Sequence, residues 1–323
     1  MEHLTTTSLK SLPKGEMFSR KDTSKKSYIK GDYCRISKKW SCVSTEDHCD
    51  ELMIAGDKMI FTDWENPAKK PTKKPTKKPT KKPVTGYVLY RGASLLDGKP
   101  IVVIAVTKRS SNVKTGDVVQ TYILADNGLS PLENLKSLGD VSICGSCIHR
   151  RGLDGACYVN VGQGVTMVYK SLLNGNYPIY DPSTNDPVSG KMVRLGTYGD
   201  PASVPRHVWD LLLTNAKGHL GYTHQWQSGK GDHVMDLCMA SADNEQDRTK
   251  AKLLKYRTFR VRSASEPVLK GEFECPASAE QGKRLTCVEC KACSGGVGTN
   301  KGDPVIIVHG SLKSRFIPLT LLA

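Results

Sequence analysis

The sequence is poor in aromatic residues and has no long hydrophobic run. Phe, Trp and Tyr make up 7% of its 323 residues, which argues against a large aromatic-lined surface. No apolar stretch approaches the ~20 residues a membrane span needs, so no membrane partner is expected. The first residues, MEHLTTTSLKSLPKGEMFSRK, lack the apolar stretch of a secretory signal. Neither G-x-G-x-x-G nor a Walker A sequence follows the early strands, which weakens the reading of a nucleotide-binding open sheet. The C-x3-C-x2-C spacing of radical S-adenosylmethionine enzymes is absent too.

Cysteine and positive charge are what the sequence has in excess. There are 11 cysteines, an odd number, several in C-x-x-C spacing. That pattern fits metal ligation better than a disulfide framework and points to a reducing, cytoplasmic compartment. The net charge is +15. Eight of those charges are lysines of one tract, KKPTKKPTKKPTKK, and the rest of the chain keeps an excess of 7. A basic body suggests a polyanionic partner, most commonly nucleic acid. Solubility alone also accounts for such charge.

Three regions separate along the chain. Residues 1–66 read as a small, basic N-terminal appendage. Its Cys34, Cys42, His48 and Cys49 are loosely spaced for zinc, and free thiols explain them as well. Residues 67–86 form the KKPT-repeat linker, where proline at every fourth position blocks helix and sheet. Residues 87–323 read as an α/β metal-binding domain. There, GKPIVVIAVTKRSSNVKTGDVVQTYILAD predicts two strands joined by a turn at Lys114-Thr115-Gly116. Further on, apolar runs alternate with helical segments. ACYVNVG, KMVRLGTYGD, HLGYTHQW, DLCMASAD, RTFRVRS, GEFECPAS and PVIIVHG read as strands. QGVTMVYKSLLNGN, SVPRHVWDLLLTNAKG (capped by Ser203) and NEQDRTKAKLLKY read as helices. The alternation predicts an α/β fold, a complete or partial (β/α) barrel preceded by a β-hairpin. An open doubly wound sheet is the other solution.

Function in such folds collects at the C-terminal ends of the strands. Those ends carry Tyr198 and Asp200; His224, Gln225 and Trp226; Asp243; and Arg260 and Arg262. Asp200 and Asp243 are candidate nucleophile and general base, and His224 a proton shuttle. Tyr198 and Trp226 could stack on a base, with Gln225 beside them, and the arginines could clamp phosphate. Each has a plainer use. An aspartate before Pro201 makes a turn or caps a helix, Asp243 stands where it could cap the next one, and Arg260 could pair with Glu266.

The cysteines form two clusters. One is Cys144, Cys147 and Cys157, with His149 between them. The other is Cys275, Cys287, Cys290 and Cys293, followed by His309. C-x-x-C sets two thiolates on one turn, close enough for one metal. Zinc on Cys287, Cys290, Cys293 and either His309 or Cys275 is one solution, and an iron–sulfur cluster on four thiolates is another.

The motifs CGSCIHR…ACYVN, RLGTYGDP, GYTHQW, MASAD…RTFRV, CPASAEQGKRLTCVECKACSGG and IIVHG together resemble a largely uncharacterised family found in phages and their hosts, over about residues 87–312. The chain more distantly resembles the tRNA-guanine transglycosylases and their phage DNA-modifying relatives. That resemblance implies a (β/α) barrel, strand-end aspartates with one as nucleophile, and a structural zinc on three cysteines and a later histidine. Cys287, Cys290, Cys293 and His309 are similar in kind, but the first two are separated by two residues rather than one, and the histidine follows sooner. The extra Cys144–Cys157 cluster has no counterpart there.

Three functions follow as expectations. The first is a phage-type metalloprotein acting on nucleic acid in the host cytoplasm, with base exchange or modification through the strand-end aspartates. The second is an iron–sulfur redox or radical enzyme. The third is a non-catalytic protein with structural metal that binds nucleic acid or a host protein.

Overall fold

The computed structural model describes residues 5–20, 27–34, 38–44, 51–62, 83–109, 115–282, 284–296 and 302–316. The KKPT tract, His48 and Cys49 lie outside them. The chain divides into two compact units, Met1–Pro83 with Gly162–Met167, and Val84–Val161 with Val168–Ala323.

The first unit holds strands β1 (Thr5–Ser8), β2 (Met17–Ser19), β3 (Ser27–Cys34), β4 (Lys39–Ser44), β5 (Glu51–Ala55) and β6 (Met59–Thr62). They form one antiparallel sheet in the order β1-β6-β2-β3-β4-β5. Leu9, Leu12, Phe18, Tyr28, Cys42, Ile54 and Ile60 make its core. Cys42 is therefore spent on packing, as buried cysteines commonly are.

The second unit is built on a nine-stranded sheet. Its strands are β7 (Gly86–Ala93), β8 (Pro100–Val106), β9 (Val119–Ala125), β10 (Met192–Tyr198), β11 (Gly218–Thr223), β12 (Met239–Ala242), β13 (Thr258–Arg262), β14 (Glu272–Glu274) and β15 (Asp303–Ile307). The order is β14-β15-β13-β12-β11-β10-β9-β8-β7. β7, β8 and β9 pair antiparallel, with Ile101 opposite Ala125 across the expected hairpin. From β9 to β14 every pairing is parallel.

From β9 to β13, consecutive strands lie side by side, as in a (β/α) barrel. The sheet nevertheless stays open among the described residues, because β7 and β14 are its two edges. The barrel expectation therefore reduces to an α/β protein with an open, mostly parallel sheet.

The helices are α1 (Pro131–Lys136), α2 (Val141–Cys144), α3 (Thr166–Leu173), α4 (Arg206–Leu213), α5 (Glu245–Leu253) and α6 (Cys287–Cys290). α4 buries Val208, Trp209 and Leu212, one stripe of a 3.6-residue period. The Trp209 indole N–H donates to Pro201 O at 3.0 Å. Ser203 does not cap this helix. It lies in a tight turn before it and bonds Asp200 O, while Pro205 takes the cap position. α5 is capped by Asn244, whose side chain accepts from Asp247 N–H. The ACYVNVG segment is not a strand. Cys157 N–H donates to His149 O at 2.9 Å, and a Cβ at Gly155 would stand 2.4 Å from the His149 carbonyl carbon. The segment closes a loop on itself instead of joining the sheet.

Candidate metal centre at the strand ends

The first cysteine cluster sits on the loop leaving β9. α2 ends at Cys144, and Gly145 turns the chain with φ +53°. Cys147 N–H then donates to Cys144 O at 3.2 Å. The buried Asp140 ties the loop down, accepting from Arg150 Nη1 at 2.6 Å and from Gly152 N–H at 2.9 Å. This clamp orders the loop around Cys144, Cys147 and His149.

The ends of β10, β11 and β12 meet that loop. Asp200 follows β10 and is buried. Its Oδ1 accepts from Ala202 N–H at 3.0 Å, and its Oδ2 from His224 N–H at 2.8 Å. Gln225 Nε2 stands 3.5 Å from the same Oδ2 and donates to Cys144 O at 3.0 Å. Gln225 Oε1 accepts from the Ser146 hydroxyl at 3.2 Å. Asp200 and Gln225 thus join the two strand ends to the cysteine loop. Burial pushes the Asp200 carboxyl up, and the bonds from Ala202 and His224 restrain the rise.

Asp243 follows β12. Asn244 provides the cap of α5, which leaves the Asp243 carboxylate to face the cysteine loop. Its Oδ1 is 2.9 Å from His149 Nε2 and 3.3 Å from His224 Nε2. A carboxylate only accepts, so both rings donate to it. The His149 ring stacks on Phe316 at 5.5 Å and meets the His224 ring edge-on at 5.9 Å. Burial pushes Asp243 up, but the charge on His224 and the bonds from both histidines outweigh it. Its carboxyl sits well below the usual range. Burial disfavours charge on His224, yet Cys147 and Asp243 together hold it well above its ordinary value.

The three thiols belong to the same place. Cys147 hydrogen-bonds His224. Burial raises the Cys144 thiol, and Cys147, Cys157, Asp140 and Asp200 raise it further. Burial likewise raises Cys157, with Cys147 adding to it. Thiols and carboxylates crowd one partly buried spot where their ionised forms would repel, and a bound cation would relieve that repulsion.

The remaining strand-end residues have other partners. Tyr198 is buried. Trp226 packs with Ala240, Ala251 and Tyr256 and donates to Ser241 O at 2.8 Å. Arg260 forms a two-point pair with Glu272, at 2.8 and 2.7 Å. Arg262 bonds Glu274 at 2.5 Å and the Glu266 carbonyl at 2.7 Å. The expected pairing with Glu266 is long, 3.9 Å from Arg260 Nη1. His309 stacks on Tyr158 at 5.3 Å and bonds its neighbour Ile307 O.

Among the described residues, three or more metal-ligating atoms lie within 4.8 Å of one another only at His149, His224 and Asp243. His149 is the member that strand-end reading misses, because it comes from the cysteine loop. Its signal in the sequence is its place two residues after Cys147. No helix among the described residues is long and apolar enough to cross a membrane. No protein-family model matches the chain, and no curated protein or solved structure matches it. The class rests on the structure itself: an α/β protein with two histidines and a carboxylate gathered at the ends of parallel strands.

Proposed function

We propose that the chain is an iron–sulfur enzyme acting on nucleic acid, with its reaction centre at the C-terminal ends of β9–β12. The supporting observation is the convergence of Cys144, Cys147 and Cys157 beside the His149–Asp243–His224 group. Three thiolates on a four-iron cluster leave one iron without a protein ligand. An open coordination position distinguishes reactive metal centres from structural ones. Such a cluster supplies one-electron chemistry.

The chain's own residues do the rest. His224, held charged by Cys147 and Asp243, can donate a proton at neutral pH. Asp243 fixes both imidazoles, while Asp200 and Gln225 hold the strand ends to the cysteine loop. Base exchange through Asp200 would require that carboxylate to give up its backbone donors, so it is the weaker reading. Nucleic acid is the substrate class that the net charge of +15 favours.

A second reading is a single metal ion on His149, His224 and Asp243, a two-histidine, one-carboxylate set. Their ligand atoms within 4.8 Å of one another favour it. Iron and acid-labile sulfide, measured on anaerobically purified protein, separate the two. In the first reading, Cys144→Ser/Cys147→Ser lowers the iron and sulfide content in equal numbers, by what the strand-end centre holds, and Asp243→Asn leaves both unchanged. Metal without sulfide at this centre, lost in Asp243→Asn, would replace the first reading with the second.

A further inference from the structure

The second cysteine cluster lies away from the strand ends, on one face of the sheet. Met192 and Arg194 of β10, Leu220 and Tyr222 of β11, and Phe259 and Val261 of β13 share this face by strand alternation and register. The segment around α6 covers it. Cys287 and Cys293 pack against Val118, Met192 and Leu220, while Cys275 packs with Ile306, Phe259, Val261 and again Cys287. Cys287 therefore touches both groups and draws Cys275 and Cys293 towards each other.

The backbone fixes this arrangement. Thr286 and Glu289 form a reciprocal cap at the start of α6, and Lys291 leaves it with φ +54°. Cys293 O accepts from Gly221 N–H at 3.0 Å, and Gly295 N–H donates to Leu237 O at 3.0 Å. A Cβ at Gly295 would stand 2.5 Å from Cys238 N, so the chain can pass this close only as glycine. Tyr222 bonds the Cys293 thiol. Burial and the thiols of Cys275, Cys287 and Cys290 push that thiol up to about 12.

We infer that Cys275, Cys287, Cys290 and Cys293 hold a four-iron, four-sulfide cluster against the β10–β13 face, with the half-buried Arg194 guanidinium as its counter-charge. Two observations favour a cluster over a single zinc ion. The spacing Cys287-x2-Cys290-x2-Cys293, with the fourth cysteine followed by Pro276, is that of ferredoxin-type thiolate sets. A tetrahedral zinc with Zn–S bonds of about 2.3 Å needs its sulfurs about 3.8 Å apart. No three of these four meet a 4.8 Å limit among the described residues. A four-iron cluster takes each thiolate at a separate corner and suits the wider setting.

Arg194 interacts electrostatically with both Cys287 and Cys293, and with Tyr158 and Tyr222. It donates to the Tyr158 hydroxyl, and its Nε is buried without a partner. A guanidinium in mid-strand among apolar neighbours is costly unless an anion offsets it. A cluster with four thiolates carries net negative charge, so Arg194 stabilises it, most strongly in its reduced form. Tyr158 directly follows Cys157 of the strand-end loop, so Arg194 also bridges the two cysteine clusters.

This inference stands apart from the reading of the strand-end centre, and the test keeps them apart. The full chain carrying Cys144→Ser, Cys147→Ser and Cys157→Ser is purified anaerobically. About four iron and four sulfide per chain, with absorbance at about 400 nm, are expected to remain. Adding Cys287→Ser/Cys290→Ser should remove both. If that variant does not fold, Cys275→Ser alone should lower the iron content and change the electron paramagnetic resonance of the cluster. Arg194→Gln should keep the iron and shift the reduction potential downwards. One zinc per chain without sulfide would overturn the proposal, as would a folded protein with no metal, or an unchanged potential in Arg194→Gln.

Discussion

His149 and Asp243, 94 residues apart in sequence, are joined by a hydrogen bond of 2.9 Å from Nε2 to Oδ1. The bond carries the loop after β9 to the end of β12, over the ends of the two strands between them. His224 reaches the same oxygen at 3.3 Å. One carboxylate therefore sets the position of two imidazoles, and a metal ion or proton placed there is shared by all three.

Asp243→Asn should change the pH dependence of stability. His224 has its folded pKa raised above the ordinary value of about 6.5. Its contribution is complete below that value and is lost as pH rises through the folded pKa. With asparagine the folded value falls, so stability of the metal-free protein should vary less with pH above about 7. Urea unfolding across that range measures it. An equal pH slope in both proteins would show that Asp243 does not hold the charge on His224.

Asp200→Ala should destabilise the protein by about 3 kcal/mol, since it strands the buried N–H groups of Ala202 and His224. Asp200→Asn keeps an acceptor oxygen and should cost less. Denaturant midpoints of the two variants give the comparison. A near-neutral Asp200→Ala with complete loss of activity would instead return this residue to the role of nucleophile.

Glu272→Gln tests an ion pair at the far side of the sheet. Glu272 and Arg260 are both buried. Burial pushes the glutamate up, but the Arg260 bonds and Leu269 N–H outweigh it and hold its carboxyl below the usual range. A depressed carboxyl contributes above its unfolded pKa, about 4.3, and loses that contribution as pH falls through the folded value. The substitution should therefore cost about 3–5 kcal/mol at neutral pH, and the gap should narrow under acid. Thermal unfolding at pH 7 and at pH 4 checks it.

The nucleic-acid reading predicts a strong salt effect. Deleting Lys69–Lys82 removes eight lysines of the net +15. For each phosphate that those lysines neutralise, the deletion should flatten the slope of log affinity against log salt by about 0.9 on duplex DNA and about 0.7 on a single strand. Anisotropy titrations of labelled oligonucleotides from low to physiological salt measure the slope. Unchanged slopes would leave the tract as a spacer only.

Much of the second unit was legible because its strands are apolar runs closed by polar tips or turns. KMVRLGTYGD, HLGYTHQW, DLCMASAD and RTFRVRS became β10–β13. The ACYVNVG run misled because its period suits a strand while His149 O captures its backbone instead. The sheet of the first unit was hidden in strands of three to eight residues, too short for an alternation to show, whose apolar members meet only after pairing. At the site, Asp200 and Asp243 were legible by position. Their partners were not, because apart from Ala202 N–H the donors that reach the two carboxylates described above come from residues 19 to 94 positions away. Arg194 left the clearest unused signal, a lone charge inside an apolar strand.

Gly145→Ala should weaken metal binding at the strand-end centre without removing a ligand. Gly145 separates Cys144 from the turn that carries Cys147, and its φ is +53°. A Cβ there would stand 2.4 Å from Gln225 Oε1. Gln225 cannot easily retreat, because it is buried and bonded to Cys144 O and the Ser146 hydroxyl. The alanine would strain the backbone and push Gln225 away together. Supporting interactions of this kind are worth about 10- to 100-fold in metal affinity. Competition with a chelator, read as metal retained per chain, should show at least the lower figure. Gly98→Ala is the control, since its φ is +77° and no atom lies within 4 Å of its added Cβ. It shares the strain but not the clash, so retention should fall only in Gly145→Ala. Equal retention in the two variants would place the metal elsewhere than on this turn.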